Sequence, residues 1–381
     1  MENFSDLENL LKQNDGRYLV FEGGKPKMVI LEPEKYNKIM GRQNNESNKI
    51  LVTGGAGYIG SHAVADLLDD GYEVIVLDNL STGYITSAPT PLIIGDLLDS
   101  KLLDKIFEQY NISAVVHFAG SIIVEESILN PQKYFDNNLN GSINLVNAMI
   151  RHGVKKIVYS SSAAVYGSPR YVPIDEDHPC QPLNPYGDSK LMFERVLNWY
   201  MQAHDLSSVI FRYFNAAGGS PELGLGESHP VETHLIPRIL AVANKEEELV
   251  RIYGYDYPTI DGTAVRDYIH VKDLARAHTL ALEKLSQDSG TFIYNVGTGK
   301  GYSVAQIIDT VIEVTGKMVP IERSERRPGD PPILIADNKK IKRELKFEPR
   351  HSDLETIIST AWEWQKKKTV SKSMLREAKN S

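Results

Sequence analysis

Cysteine is almost missing from this chain: Cys180 is the single thiol among 381 residues. No intramolecular disulfide is available, no metal-ligand spacing surrounds Cys180, and a reducing compartment with a purely structural cysteine is expected. No metal site is expected either. Long apolar runs are also lacking, and nothing approaches the length of a membrane span. Residues 1–11 mix Glu2, Asp6 and Glu8 with leucines and carry neither the basic nor the apolar region of a secretory leader. A soluble, cytoplasmic protein follows. Positive charge is scarce, since 42 Lys and Arg face 50 Asp and Glu for a net charge of −8. Without a long basic run, a dedicated nucleic-acid or membrane-surface binder is disfavoured. A few local arginines would still suffice for a phosphorylated small molecule.

What is present is enough chain to bury a full core, as one large domain or two modest ones. Residues 1–48 stand apart as an N-terminal extension. Residues 4–12 read as a short helix, residues 18–21 and 28–31 as two strands around the turn at 22–26, and Pro33 as the opening of a second helix, before a polar linker at 42–48. Over about thirty residues this pattern faintly resembles the N-terminal module of Phd-type bacterial antitoxins. The simpler reading is an add-on that packs on the main domain or on a partner subunit.

From residue 49 the chain alternates strands and helices. Strands are expected at 50–53, 74–77, 92–94, 114–118, 156–160 and 209–213, most of them separated by helical patterns. That alternation means an α/β fold with a doubly wound parallel (Rossmann) sheet. After the first strand, Gly54, Gly57 and Gly60 recur at three-residue spacing. Gly54 can make the turn, Gly57 lets backbone approach a pyrophosphate, and Gly60 lets the following helix lie close, with its N-terminus toward the anion. Asp78 ends the next strand, where a carboxylate meets an adenosine ribose and repels a 2′-phosphate, so NAD is favoured over NADP. The Rossmann core is placed at 49–215 and a smaller substrate-binding lobe mainly at 216–367, with 49–381 forming one unit. In the helical stretch 191–201 apolar residues wrap most of the circumference, which implies a second packing partner, most simply a second subunit.

Downstream, Tyr186 and Lys190 lie four apart on one helical face that starts at Pro185. A tyrosine acting as a base near neutral pH needs its pKa lowered by about 3 units, roughly 4 kcal/mol. A lysine ammonium one turn away favours the phenolate, which makes Tyr186 a plausible proton shuttle. Ser160, Ser161 and Ser162 end a strand and should place at least one hydroxyl at the ligand edge of the sheet.

The strand-linked glycines, SSSAAVYG at 160–167 and YxxxK at 186–190 resemble the extended short-chain dehydrogenase/reductases. The likeness is closer to the UDP-glucose 4-epimerase family, through TGGAGYIGSH, DNLSTG, FAG at 118–120, RYFNAAG at 212–218, YDYPTIDGTAVRDYIHV at 255–271, YNVGTG at 294–299 and RRPGD at 326–330, in colinear order over residues 49–367. That resemblance implies NAD contacts at Tyr58, Ile59, Asp78, Asn79, Asp96, Leu97, Phe118, Ala119, Gly120, Asn137, Lys190 and Phe214. It implies a catalytic set of Ser162, Tyr186 and Lys190. It implies a UDP-sugar site of Ser162, Tyr186, Asn215, His234, Leu235, Arg251, Ile252, Tyr253, Arg266, Arg327, Asp330 and Leu334, in which Arg266 and Arg327 suit a pyrophosphate. For Arg266 an ion pair with Asp267 is the plainer alternative. The implied reaction is reversible inversion at C4 of UDP-glucose and UDP-galactose through a 4-keto sugar, with NAD retained and a homodimer as the assembly.

Three positions depart from the family pattern. Ile122 stands where some members carry a lysine near the cofactor, His234 replaces a common asparagine as a neutral polar substitute, and Leu334 is intermediate between the tyrosine of glucose/galactose-only members and the smaller residue of those accepting N-acetylated sugars. Leu334 leans toward acceptance. A 4,6-dehydratase would need acid/base groups where Ala163 and Ala164 stand. A UDP-pentose 4-epimerase differs only in the C6 group it accepts, and an NAD-sensing regulator would have no need for Tyr186, Lys190 and Ser162.

Overall fold

The structure, a computed structural model, describes residues 17–22, 25–31, 48–84, 87, 90–229, 232–327 and 330–380. It divides into two units, residues 1–48 and 49–381. In the first, Arg17–Glu22 pairs antiparallel with Lys25–Leu31, and a bulge falls between Val20 and Phe21. Both expected strands are there. The helices expected at 4–12 and from Pro33, the centre of the turn and the linker up to residue 47 lie outside the described residues.

The second unit is built on a seven-stranded sheet. Its order is Thr291–Val296, Ser207–Tyr213, Lys156–Ser162, Ile112–His117, Lys49–Thr53, Glu73–Asp78, Leu92–Ile94, and every pairing is parallel. All six strands expected for the core are present. Alternate side chains explain why they read as unbroken apolar runs. Ile50, Val52, Val74, Val76, Val116, Val158 and Phe211 pack under the helices Tyr58–Asp69 and Val271–Gln287. Leu51, Ile75, Leu77, Val115, Ile157 and Ile210 pack under Ser100–Gln109, Gly141–Arg151 and Pro185–His204. Each such fully buried side chain contributes about 1.5–3 kcal/mol.

The strand order reverses between Lys49–Thr53 and Ile112–His117, which opens a crevice at the strand C-termini. Beyond residue 215 the division differs from the sequence expectation. Helix Val271–Gln287 and strand Thr291–Val296, read with the second lobe, return to the first: the helix covers the sheet beside Tyr58–Asp69 and the strand forms its edge. The lobe proper gathers helices Leu235–Ala243, Val304–Thr315 and the start of Leu354–Asn380 with strands Val250–Tyr253 and Ile321–Ser324, around Ile239, Leu240, Ile252, Ile307, Val311 and Ile357. Ser303 starts its central helix with a full capping box to Gln306. Among the described residues no helix is long and apolar enough to cross a membrane.

Candidate active site

One cleft of about 1210 Å³ runs along the strand C-termini and up to the second lobe. On the sheet side its floor is the glycine turn. Gly54 has φ +73°, and a Cβ there would stand 2.6 Å from the Ala119 backbone nitrogen, so no other residue fits. A Cβ on Gly60 would stand 2.1 Å from the Gly54 carbonyl oxygen, so this glycine seats the helix against the turn itself. Gly57 is the N-cap of Tyr58–Asp69 and brings no side chain to it, which leaves first-turn N–H groups facing the cleft. A cradle that a Cβ would fill, at a helix start, fits a dinucleotide pyrophosphate.

Asp78 is 8 % exposed at the strand end, and its carboxylate accepts from the N–H groups of Ala56 (3.0 Å) and Leu80 (2.8 Å). Asn79 donates to Asp96 at 2.8 Å on the rim. Phe118 and Ala119 both donate their N–H to the Thr53 carbonyl, at 2.9 and 3.1 Å, and so tie the two strands together at the reversal. Tyr58, Ile59, Leu97, Gly120, Asn137 and Phe214 complete this half of the lining, and Ile122 stands beside them, 39 % exposed.

At the centre stand Ser162, Tyr186 and Lys190. Ser162 ends its strand, and its Oγ accepts from Ala164 N–H at 3.1 Å to start the turn Ala163–Tyr166. Asn184 caps helix Pro185–His204 by accepting from Gly187 N–H at 2.9 Å, and Pro185 fills the first position, so Tyr186 projects from the first turn. Gly187 has no room for a side chain, since a Cβ would lie 2.7 Å from the Ala164 carbonyl. Lys190 is buried, and its Nζ donates to the Ser160 carbonyl at 2.8 Å and lies 6.0 Å from the Tyr186 ring centre.

The electrostatics depart from expectation here. Burial raises the Tyr186 phenol above its ordinary pKa, and the opposing pull is a hydrogen bond to Ser162. Lys190 gives its Nζ–H to the Ser160 carbonyl, and burial brings its own pKa down to about 8, against the attraction of Glu194.

Behind helix Pro185–His204 lies a buried polar network whose members come from separate segments of the chain. Arg212 forks onto Glu194 at 3.1 and 2.7 Å, both residues 4 % exposed, while Ser161 Oγ donates to the same carboxylate at 2.5 Å. Arg212 also donates to Tyr166 at 3.0 Å, whose hydroxyl donates to Asn295 at 2.7 Å. The tips of three sheet strands are thereby fixed under the site.

On the lobe side Asn215, His234, Leu235, Tyr253, Arg327, Asp330 and Leu334 line the cleft. Arg327 lies 4.2 Å over the Tyr253 ring and 3.5 Å from Glu125 across the cleft mouth. Arg251, Ile252 and Arg266 are not among the lining residues. Alternation along Val250–Tyr253 turns Ile252 into the lobe core, while Arg251, on the same face as Tyr253, is drawn to Glu322 at 3.2 Å; of that run only Tyr253 is among the residues lining the cleft. Arg266 stands one layer back, gripping the lining residue Asp330 at 2.5 Å rather than Asp267. Asp267 is instead fully buried and accepts from Thr298, Gly299 and Ala336.

His234 is not a neutral substitute. Glu227 and Glu232 face it, and their attraction outweighs burial and holds its pKa well above the ordinary histidine value. Glu227 and His229 also line the cleft and were missed from the sequence, although the spacing Glu227-x-His229-x-x-Glu232-x-His234 was there to be read.

Comparison with known proteins matches this arrangement. Residues 50–297 match the NAD dependent epimerase/dehydratase family. A UDP-glucose 4-epimerase of Halalkalibacterium halodurans is 48 % identical over 318 residues, 83 % of this chain and 95 % of that protein. The crystal structure of UDP-glucose 4-epimerase from Brucella ovis in complex with NAD aligns with a TM-score of 0.81 at 44 % identity, over 83 % of this chain and 98 % of that one. The Bifidobacterium longum enzyme in complex with NAD+ and UDP aligns at 0.80 with 39 % identity, over 84 % and 98 %. With a glycine-seated helix start, a strand-end Asp78 and the Ser162, Tyr186, Lys190 set in one cleft, the chain belongs to the NAD-dependent epimerase/dehydratase family, in its UDP-glucose 4-epimerase group.

Proposed function

We propose that this protein interconverts UDP-glucose and UDP-galactose by inversion at C4, with NAD held through many turnovers. The observation that carries the reading is the single cleft that places Ser162, Tyr186 and Lys190 between a pyrophosphate cradle on the sheet and Tyr253, Arg327 and Asp330 on the lobe. Gly54, Gly57 and Gly60 would hold the dinucleotide pyrophosphate, Asp78 the adenosine ribose and Lys190 the nicotinamide ribose. When bound, NAD supplies a hydride store beside the sugar carbon. Tyr186 takes the C4 hydroxyl proton as the sugar is oxidised and returns it to the 4-keto oxygen once the sugar has presented its other face. Ser162 holds the phenol and the sugar hydroxyl. Arg327 serves the pyrophosphate, and Arg266 positions Asp330. Ala163 and Ala164 line the cleft beside Ser162 and cannot move protons, which removes the dehydratase branch.

The reading extends to the N-acetylated sugars through Leu334, which leaves room that a tyrosine would fill. Pentose specificity finds no support in the relatives named above, and a regulator would not need the proton-transfer set. The test is to incubate purified protein, with no added NAD, with UDP-galactose, UDP-N-acetylgalactosamine and a UDP-pentose. Conversion of the first two is expected, and denatured protein should release about one dinucleotide per chain. A preparation that consumes added NAD stoichiometrically would defeat the whole reading; no turnover of the N-acetylated sugar would defeat only its extension.

The active unit we infer is a cytoplasmic homodimer. On helix Pro185–His204, Phe193 and Leu197 are fully buried, while Met192 and Trp199, two turns apart on one face, are 38 % and 64 % exposed. Light scattering should give twice the chain mass, and Trp199→Glu should shift it to one; a wild-type monomer would refute the pairing.

A further inference from the structure

At the start of helix Leu235–Ala243, the side chains of Glu227, His229, Glu232 and His234 converge, with one ligand atom from each and all four within 4.8 Å of one another. His234 Nδ1 lies 2.6 Å from Glu227 Oε1 and 2.9 Å from Glu232 Oε1. His229 Nδ1 lies 3.6 Å from Glu227 Oε1 and 3.5 Å from Glu232 Oε2. Three of these atoms, Glu227 Oε1, His229 Nδ1 and Glu232 Oε2, are buried without a hydrogen-bond partner, and Glu227 as a whole is only 7 % exposed. Shielded carboxylate oxygens without donors are costly. His234 Nδ1 stands between the two carboxylates and can serve only one of them at a time.

We infer that these four side chains form a binding site for a first-row divalent cation, with zinc the best fit. Two imidazole nitrogens and two carboxylate oxygens are a donor set zinc accepts in tetrahedral geometry, whereas magnesium and calcium prefer oxygen alone. A tetrahedron with metal–ligand distances near 2.05 Å has edges of about 3.3 Å. The separations of 3.5 and 3.6 Å already match that edge, and the closest pair need only part under the ion.

Four protein ligands leave no open position, so the ion is structural and takes no part in hydride or proton transfer. Its place gives it a purpose. The site pins the segment carrying Glu227 and His229 to the first turn of the helix that brings Leu235 and Ile236 to the cleft wall. The ion thereby sets the position of that wall.

Metal analysis of protein purified without chelator should find about one zinc per chain. After EDTA dialysis, calorimetric titration with zinc chloride should show one site with a Kd below about 1 µM, while magnesium chloride gives no comparable binding. Zinc should also raise the melting temperature of the stripped protein, as any ligand selective for the folded state does. His229→Ala and Glu232→Gln should each weaken the Kd at least about tenfold. The inference falls if folded wild-type chain, checked by circular dichroism, takes up no zinc at about 100-fold excess, or if both variants bind zinc as the wild type does. The wild-type titration decides even if a variant fails to fold.

Discussion

Replacing Tyr186 by phenylalanine should lower kcat on UDP-galactose by about 10²–10⁴-fold, the usual worth of a positioned proton-transfer group. The change removes one oxygen and little volume. Tyr186 keeps its edge-on contact with the Tyr134 ring at 6.4 Å, the helix keeps its Asn184 cap, and Lys190 keeps its bond to Ser160. Dinucleotide retention and UDP-sugar binding should therefore survive, and the loss should appear in kcat rather than KM. Ser162→Ala should act in the same direction through the phenol, because the Ser162 hydrogen bond is what opposes the burial that raises the Tyr186 pKa. The pH profile carries the sign: without Ser162 the phenol titrates higher still, so the rising limb should move to more alkaline pH. A fully active Tyr186→Phe enzyme would remove the residue from the mechanism.

Glu194→Gln should cost about 3–5 kcal/mol of stability, measured by urea unfolding, because it leaves Arg212 as an uncompensated buried charge. Among the described residues the guanidinium pairs with no second carboxylate; its other bonds go to Tyr166 and to the Glu176 backbone. Ser161 would also lose the charged acceptor it now uses. Replacing both partners by apolar residues, Glu194→Leu with Arg212→Met, should recover much of the loss, since the cost lies in the orphaned charge more than in the missing pair. A single substitution costing less than about 1 kcal/mol would mean that water reaches Arg212 and that the network is not a sealed one.

What could be read in advance divides along a physical line. The six core strands were legible because a parallel sheet buried on both faces needs continuous β-branched runs, and Lys49–Thr53 or Ser207–Tyr213 have no other use for theirs. The start of helix Pro185–His204 was legible because Asn184 and Pro185 are local signals. Placement was less so. That Thr291–Val296 closes the sheet beside Ser207–Tyr213 depends on a pairing across about eighty residues, which no local pattern announces. Arg251 and Ile252 share one motif with Tyr253, but alternation turns Ile252 into the lobe core and Glu322 holds Arg251, so Tyr253 alone of Val250–Tyr253 lines the cleft. Arg212 was visible within its motif, yet its partner Glu194 sits in another segment, and only folding brings the two together. The Glu227 to His234 run is compact in sequence, but only the turn leading into helix Leu235–Ala243 brings its four side chains to one point.

The contact of Gly187 with the Ala164 carbonyl has a further meaning. Main chain meets main chain there, with no side chain between to act as a spring. The span from the Ser162 hydroxyl to the Tyr186 phenol is thus gauged by two backbones in direct touch, and turn and helix have no slack with which to drift apart. Repacking elsewhere in the core can shift the pair together without changing its spacing.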